Sequence, residues 1–162
     1  MRQVIKNRQV VTDDWLYGDR ESAKGAARVV LPLADYLAVH ATGEAAGAAL
    51  GVKLAPADDE AQLKPYLTGL PLITVEFPST GEGRGYTQGR LLRERYGYRG
   101  ELRAVGPIRV DQMWFLARCG FDSFELAAGE DPLVAIAQLQ RFSVAYQASP
   151  DGLTQPRRRH GA

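Results

Sequence analysis

The sequence predicts an α/β fold: a parallel sheet built from βαβ units, as an open doubly wound sheet or a partial (β/α) barrel, with an N-terminal β-hairpin. Three observations carry this. Strand-like runs at Leu72–Phe77, Glu101–Val105 and Ser123–Ala127 recur about 30 and then 22 residues apart, with helical stretches between them, as right-handed crossovers require. Residues 3–11 place two β-prone runs around Lys6-Asn7-Arg8. The chain has 162 residues, 45% of them hydrophobic, which suits one domain. Whether the sheet closes depends on strand tilt and shear, which local pattern does not encode.

The elements follow in order. After the hairpin, Asp13 or Asp14 ends the second strand and Trp15 packs its ring onto the body of the domain. Residues 18–27 are polar and small, a loop. Val29–Leu33 is a short strand stopped by Pro32, and Ala34–Val39 continues as a helix. Ala41–Leu50, rich in Ala and Gly, reads as loop or weak helix. Val52–Leu54 is a strand, and Asp58-Asp59-Glu60 opens a helix to Leu67, with acids at the positive end of its dipole. Leu72–Phe77 is the strongest strand signal and ends at Pro78. Thr87–Tyr96 is a helix stopped by Gly97, Glu101–Val105 a strand, and Val110–Cys119 a helix with Gly120 at its end. After Ser123–Ala127, Asp131-Pro132 starts a helix to Gln147, Asp as N-cap and Pro in the first turn. The domain is read as 1–148, and 149–162, with two Pro, two Gly and no apolar periodicity, as a flexible tail.

Composition excludes several function classes. The net charge of +1 gives no whole-chain attraction to nucleic acid or to an anionic membrane. One Cys cannot form an internal disulfide or hold an iron–sulfur cluster, and two separated histidines, His40 and His160, do not make a metal cage. The N-terminus has no apolar signal core, and no run of about 18 apolar residues exists, so a cytoplasmic protein is expected. The charge is nonetheless uneven. Residues 1–80 carry 8 basic and 10 acidic side chains, residues 81–120 carry 8 Arg against 4 acids, and residues 121–162 carry 4 Arg against 5 acids. Anion chemistry therefore belongs to the middle of the chain.

In parallel α/β sheets, ligands bind beyond the C-terminal strand ends. That rule selects Pro78–Tyr86, Gly106–Asp111 and Ala128–Asp131. The first contains Gly81-Glu82-Gly83-Arg84-Gly85-Tyr86 ahead of a helix, where free backbone N–H groups and the forked Arg84 donor suit a phosphate, sulfite or carboxylate. The glycines match neither G-x-G-x-x-G nor a P-loop, so a tight connection is the competing reading. Arg109 and Gln112 on the next loop would complete the anion site formed by Gly83, Arg84, Gly85 and Tyr86. Asp111 either stabilises its helix or joins Tyr86 and Cys119 as a candidate reactive group. Cys119, at the negative end of a helix, reads better as a packed structural residue than as a thiolate. Among the arginines that follow, Arg90 and Glu94 are spaced to pair on a helix. Arg90 and Arg93 form either a solvated face or a docking face for an acidic protein. No motif for a metal, nicotinamide, flavin, sirohaem or iron–sulfur cofactor is found, and none for nucleic acid.

The passage Val75–Leu126 resembles a bacterial family, the domain of unknown function 934 family. Glu76-Phe77-Pro78, Gly83-Arg84-Gly85-Tyr86, Arg90-Leu91-Leu92-Arg93, Tyr98–Gly106, Asp111-Gln112 and Arg118–Asp122 carry the resemblance, with support from the N-terminal hairpin, Trp15 and Phe142–Gln147. Members are commonly labelled oxidoreductases of sulfite reduction, after neighbouring genes for a sirohaem-dependent sulfite reductase. The resemblance thus implies a place in sulfur assimilation and cysteine biosynthesis, with sulfite reductase as partner. Without a cofactor motif, it implies an accessory of the reductase rather than its redox catalyst. It also adds weight to the loops at Gly83–Tyr86 and Arg109–Gln112.

Overall fold

A computed structural model of the protein describes residues 2–44 and 47–141. The hairpin is present as β1 (Arg2–Lys6) and β2 (Gln9–Asp13), in register from Arg2↔Asp13 to Lys6↔Gln9. Asn7 and Arg8 form its turn with φ of 50° and 64°, the doubly left-handed geometry that matches strand twist. Next comes β3 (Leu16–Tyr17), too short to leave a pattern in sequence. It is followed by β4 (Arg28–Pro32), α1 (Leu33–Thr42), β5 (Ala49–Leu54) and β6 (Leu72–Glu76). The second half holds α2 (Arg84–Arg90), β7 (Glu101–Ile108), α3 (Met113–Arg118), β8 (Ser123–Leu126) and α4 (Pro132–Gln140). The sequence extends the last helix to Gln147; residues beyond 141, the tail among them, lie outside the described residues.

All eight strands form one sheet in the order β2-β1-β8-β7-β6-β5-β4-β3. From β3 to β8 the neighbours are parallel and sequential, while β1 joins β8 antiparallel. A doubly wound sheet needs a reversal of strand order to send helices to both faces. A monotonic order with crossovers of one hand sends them to one face. The sheet is therefore a curled half-barrel, and the partial barrel is the alternative that the topology selects. The chain passes from β2 on one edge to β3 on the other, and the two sides meet: the Tyr17 hydroxyl donates to Glu125 Oε2 at 3.3 Å, and Arg2 stacks over the Tyr17 ring at 4.4 Å.

Alternation along the strands sorts the side chains. Val29, Leu31, Val52, Leu54, Ile73, Val75, Leu102 and Ala104 face the helices and merge with Leu33, Tyr36, Leu92, Met113, Leu116 and Ala135 in the main core. Their neighbours turn to the other face, where Val30 and Leu72 pack against Trp15, as expected for that ring.

Three local departures from the sequence reading matter. Residues 60–66 form a 3-10 helix rather than an α-helix; Pro65 lies inside it and supplies no N–H for an α-helical ladder. The Gly97-terminated helix starts at Arg84 rather than Thr87 and ends in a π-turn, with Tyr96 N–H donating to the Leu91 carbonyl. Finally, β7 runs on through Gly106-Pro107-Ile108 with an irregular register against β8. Gly106 has φ of 113°, and a Cβ there would lie 2.2 Å from the Phe77 carbonyl oxygen, so glycine is required.

Candidate functional site

The loops following β6, β7 and β8 converge on Tyr86. Its ring packs between Phe77 and Phe115, with centroids 5.0 and 4.9 Å away. Its hydroxyl accepts from Gln112 Nε2 at 3.1 Å, and Gln112 Oε1 accepts from Arg109 N–H at 2.9 Å. The chain of contacts then continues to a residue that the sequence reading left unassigned. Glu130, on the loop after β8, accepts from Val110 N–H at 3.0 Å and stands 3.7 Å from Arg109 Nε. The position of that loop at a strand end marks it as ligand-side, but nothing in its local sequence singles out Glu130.

Arg84 is held differently. Glu82 accepts from Arg84 N–H at 3.0 Å and from its guanidinium at 2.9 Å through two donors. These bonds hold the Glu82 carboxyl well down, at about 2. A carboxylate of the chain itself thus occupies the first turn of α2, where an external anion was expected, and a ligand there has to displace it. Both arginines keep most of their side chains in solvent, Arg84 at 63% and Arg109 at 62% exposure. Gly83 caps α2 with open space around it, whereas Gly85 serves packing: a Cβ there would come within 2.6 Å of the Phe77 ring. The same holds for Gly89 against Phe121 at 2.5 Å.

Of the other candidates, Asp111 is exposed in the 3-10 turn Val110–Gln112. Cys119 is 1% exposed within the main core, as its structural reading expected. Arg90 pairs with Glu94 at 3.2 Å, following the helical spacing. Arg93, placed beside it as a docking residue, is turned inward. It donates to the carbonyls of Gly120, Tyr98 and Gly100 at 2.8–2.9 Å and pairs with Asp122 at 3.0 Å, leaving its side chain 11% exposed.

A second polar cluster lies on the face of the sheet away from the helices. Arg103 is 1% exposed and donates to Glu101 at 2.7 Å and to Ser123 at 3.2 Å. Glu101 also pairs with Lys6 at 2.6 Å. Burial would raise the Glu101 carboxyl, but Lys6 and Arg103 outweigh it and hold it below its ordinary value. Burial would likewise discharge Arg103, and Glu101 reverses that, keeping the guanidinium firmly protonated. Burial pushes the Tyr17 phenol up to about 12. Toward the C-terminal strand ends of this face, Lys53 and Glu76 pair at 3.3 Å. The sequence carried a signal for the cluster, since Glu101 and Arg103 alternate in an otherwise apolar strand.

Among the described residues, no group of three or more His, Cys, Asp or Glu is placed to hold a metal ion, and no helix is long and apolar enough to cross a membrane. No curated protein matches the chain. A solved structure described as "Native KDPGal structure" aligns at 14% identity over 78% of this chain and 93% of that one, with a TM-score of 0.32. Residues 51–156, the span that carries most of β5, all of β6 to β8 and every loop of the Tyr86 site, match the family described as "Bacterial protein of unknown function (DUF934)", and the chain belongs to that family.

Proposed function

We propose that the protein is a cytoplasmic accessory of sulfite reduction, binding a small oxyanion at the C-terminal ends of β6, β7 and β8 while a separate reductase performs the redox chemistry. The observation that supports the binding site is the convergence of Tyr86, Gln112 and the Arg109 backbone from two adjacent loops, with the Arg109 guanidinium exposed and 3.7 Å from Glu130. The place in sulfur metabolism rests on the family resemblance, with sulfite reductase as the partner. An accessory role is favoured over catalysis by this chain because Cys119, its one thiol, is enclosed by core side chains and out of reach of a substrate.

In this reading Arg109 and Arg84 grip the anion by exchanging carboxylate partners, Glu130 and Glu82, for the ligand. Titration of the wild type and of Arg84→Ala and Arg109→Ala with sulfite tests it: both variants bind more weakly, and equal affinity in all three removes the site. Co-purification from cells growing on sulfate recovers sulfite reductase. A deletion strain that still grows normally on sulfate, with no reductase recovered, removes the accessory role.

A further inference from the structure

The positive surplus of residues 81–120 is concentrated at the opposite end of the sheet from Tyr86. Most arginines of that block have carboxylate partners: Arg84 has Glu82, Arg90 has Glu94, Arg93 has Asp122, Arg103 has Glu101 and Asp13, and Arg109 has Glu130. Arg95 and Arg99 have none among the described residues, and neither does Lys64. These three cations line one cleft of about 780 Å³ at the N-terminal ends of β6 and β7.

The cleft is built as well as charged. Lys64 Nζ lies 4.6 Å and the Arg95 guanidinium 5.9 Å from the centre of the half-buried Tyr96 ring, so one aromatic surface gathers two of the cations. Leu67, Thr68 and Leu70 form another wall, adding apolar surface and a hydroxyl. The base is pinned from below. The Tyr98 hydroxyl lies 3.1 Å from the carbonyls of both Leu70 and Glu101, and Arg93 holds the carbonyls of Tyr98 and Gly100. Gly100 lets the chain pass there, since a Cβ would meet the Tyr98 hydroxyl at 2.3 Å. A pre-set backbone lowers the ordering cost of binding.

We propose that this cleft binds a small organic polyanion, a molecule with two or more phosphate or carboxylate groups on a body that lies against Tyr96. A volume of about 780 Å³ falls in the range of small-molecule sites, and three cations without carboxylate partners, set among mixed polar and apolar walls, match a compact multiply charged ligand. A protein partner would instead need roughly 800 Å² of matching surface on each side. The site is independent of the oxyanion site at Tyr86.

Calorimetric titration with inorganic pyrophosphate, adenosine diphosphate and citrate, and with polyglutamate as a stand-in for an acidic protein, at physiological salt, tests the proposal. Saturable binding of adenosine diphosphate or citrate is expected, tighter than that of pyrophosphate, which has no body to lie against Tyr96; adenosine diphosphate alone assigns phosphoryl chemistry and citrate alone assigns carboxylates. Lys64→Ala, Arg95→Ala and Arg99→Ala each weaken that binding about tenfold, the size of one lost charged hydrogen bond. The Arg84→Ala/Arg109→Ala double variant leaves it unchanged. All three cleft cations are exposed, and an unchanged melting temperature confirms that the variants fold. No saturable binding, binding that survives the cleft variants, binding lost in the Arg84/Arg109 variant, or binding of polyglutamate alone would each overturn the proposal.

Discussion

Arg103 Nη1, on β7, stands 3.0 Å from Asp13 Oδ2, at the end of the N-terminal hairpin, and neither side chain is more than 2% exposed. The two residues are 90 positions apart. The contact is a charge contact rather than an aligned hydrogen bond, since that nitrogen has no partner in hydrogen-bonding geometry. Arg2, itself half-buried, also pairs with Asp13 and reaches the Trp15 carbonyl at 2.9 Å, so the hairpin end, the crossing chain and the middle of the sheet share one set of charges. Arg103 is the hub of that set. Removing it leaves Asp13 and Glu101 with less compensation in a site that water does not reach. Arg103→Met is expected to cost about 3 kcal/mol, read from urea unfolding midpoints.

Arg93 makes a comparable prediction for the other side of the sheet. It satisfies three backbone carbonyls and Asp122, so Arg93→Met should lower stability by about 2 kcal/mol or more. Arg90→Met, losing one exposed helical pair, should change it by no more than about 0.5 kcal/mol. Thermal unfolding of the two variants side by side checks the contrast. Equal effects would contradict the clamp.

Glycines of the central segment should respond by position. At Gly106 both the positive φ and the Phe77 carbonyl oppose a side chain, and Gly106→Ala is expected to destabilise by more than about 1 kcal/mol. Gly81 has open space and no positive φ, so Gly81→Ala should stay within about 0.5 kcal/mol. Chemical denaturation of both proteins provides the measurement.

Acid stability should carry two contributions of opposite sign. Glu101, held below its ordinary 4.5 despite its burial, stabilises the fold above that value and loses the contribution as pH falls through its folded value. Asp122 is raised above 3.8 by burial, against the opposing pull of the Leu102 N–H and Arg93, so its contribution declines as pH rises through the window above 3.8. Glu101→Gln should therefore flatten the rise of stability with pH in the acid range, and Asp122→Asn should steepen it. Urea midpoints followed from pH 3 to 7 would show this as slopes, whatever the absolute stabilities of the variants.

Glu82 should act as an internal competitor at the proposed oxyanion site. Glu82→Gln removes the charge that now occupies Arg84 and the first turn of α2, and sulfite affinity should rise roughly two- to fivefold. The gain should disappear when Arg84→Ala is added. Titration of the single and double variants reads it directly.

Much of the local structure was legible in the sequence because short-range physics set it. The left-handed Asn7-Arg8 turn, the apolar run of β6 and the Asp131-Pro132 helix start, with Asp131 accepting from Leu133 N–H at 2.8 Å, all depend on residues within a few positions of one another. The Arg90–Glu94 pair is of the same kind. The helix start at Arg84 was missed because Gly83 and Gly85 look like loop residues. The place of Gly85 in the helix follows from Phe77, whose ring leaves no room for a side chain there. Glu130 was missed for a similar reason: its role comes from Val110 and Arg109, some 20 residues away.

The βαβ rhythm, the hairpin, the strand-end loops and the positive excess of residues 81–120 are all readable from the order of residues alone. Periodicity, capping and composition are local or summed quantities. That the sheet is a singly wound half-barrel emerges from the folded chain, because strand order is a relation among distant segments. Folding also sets which cations are satisfied. Arg93, indistinguishable in sequence from its neighbour Arg95, points into carbonyls and a carboxylate that the sheet brings to it. Arg95 and Arg99 are left facing a cleft, since a guanidinium's environment depends on what folding places within a few ångströms of it.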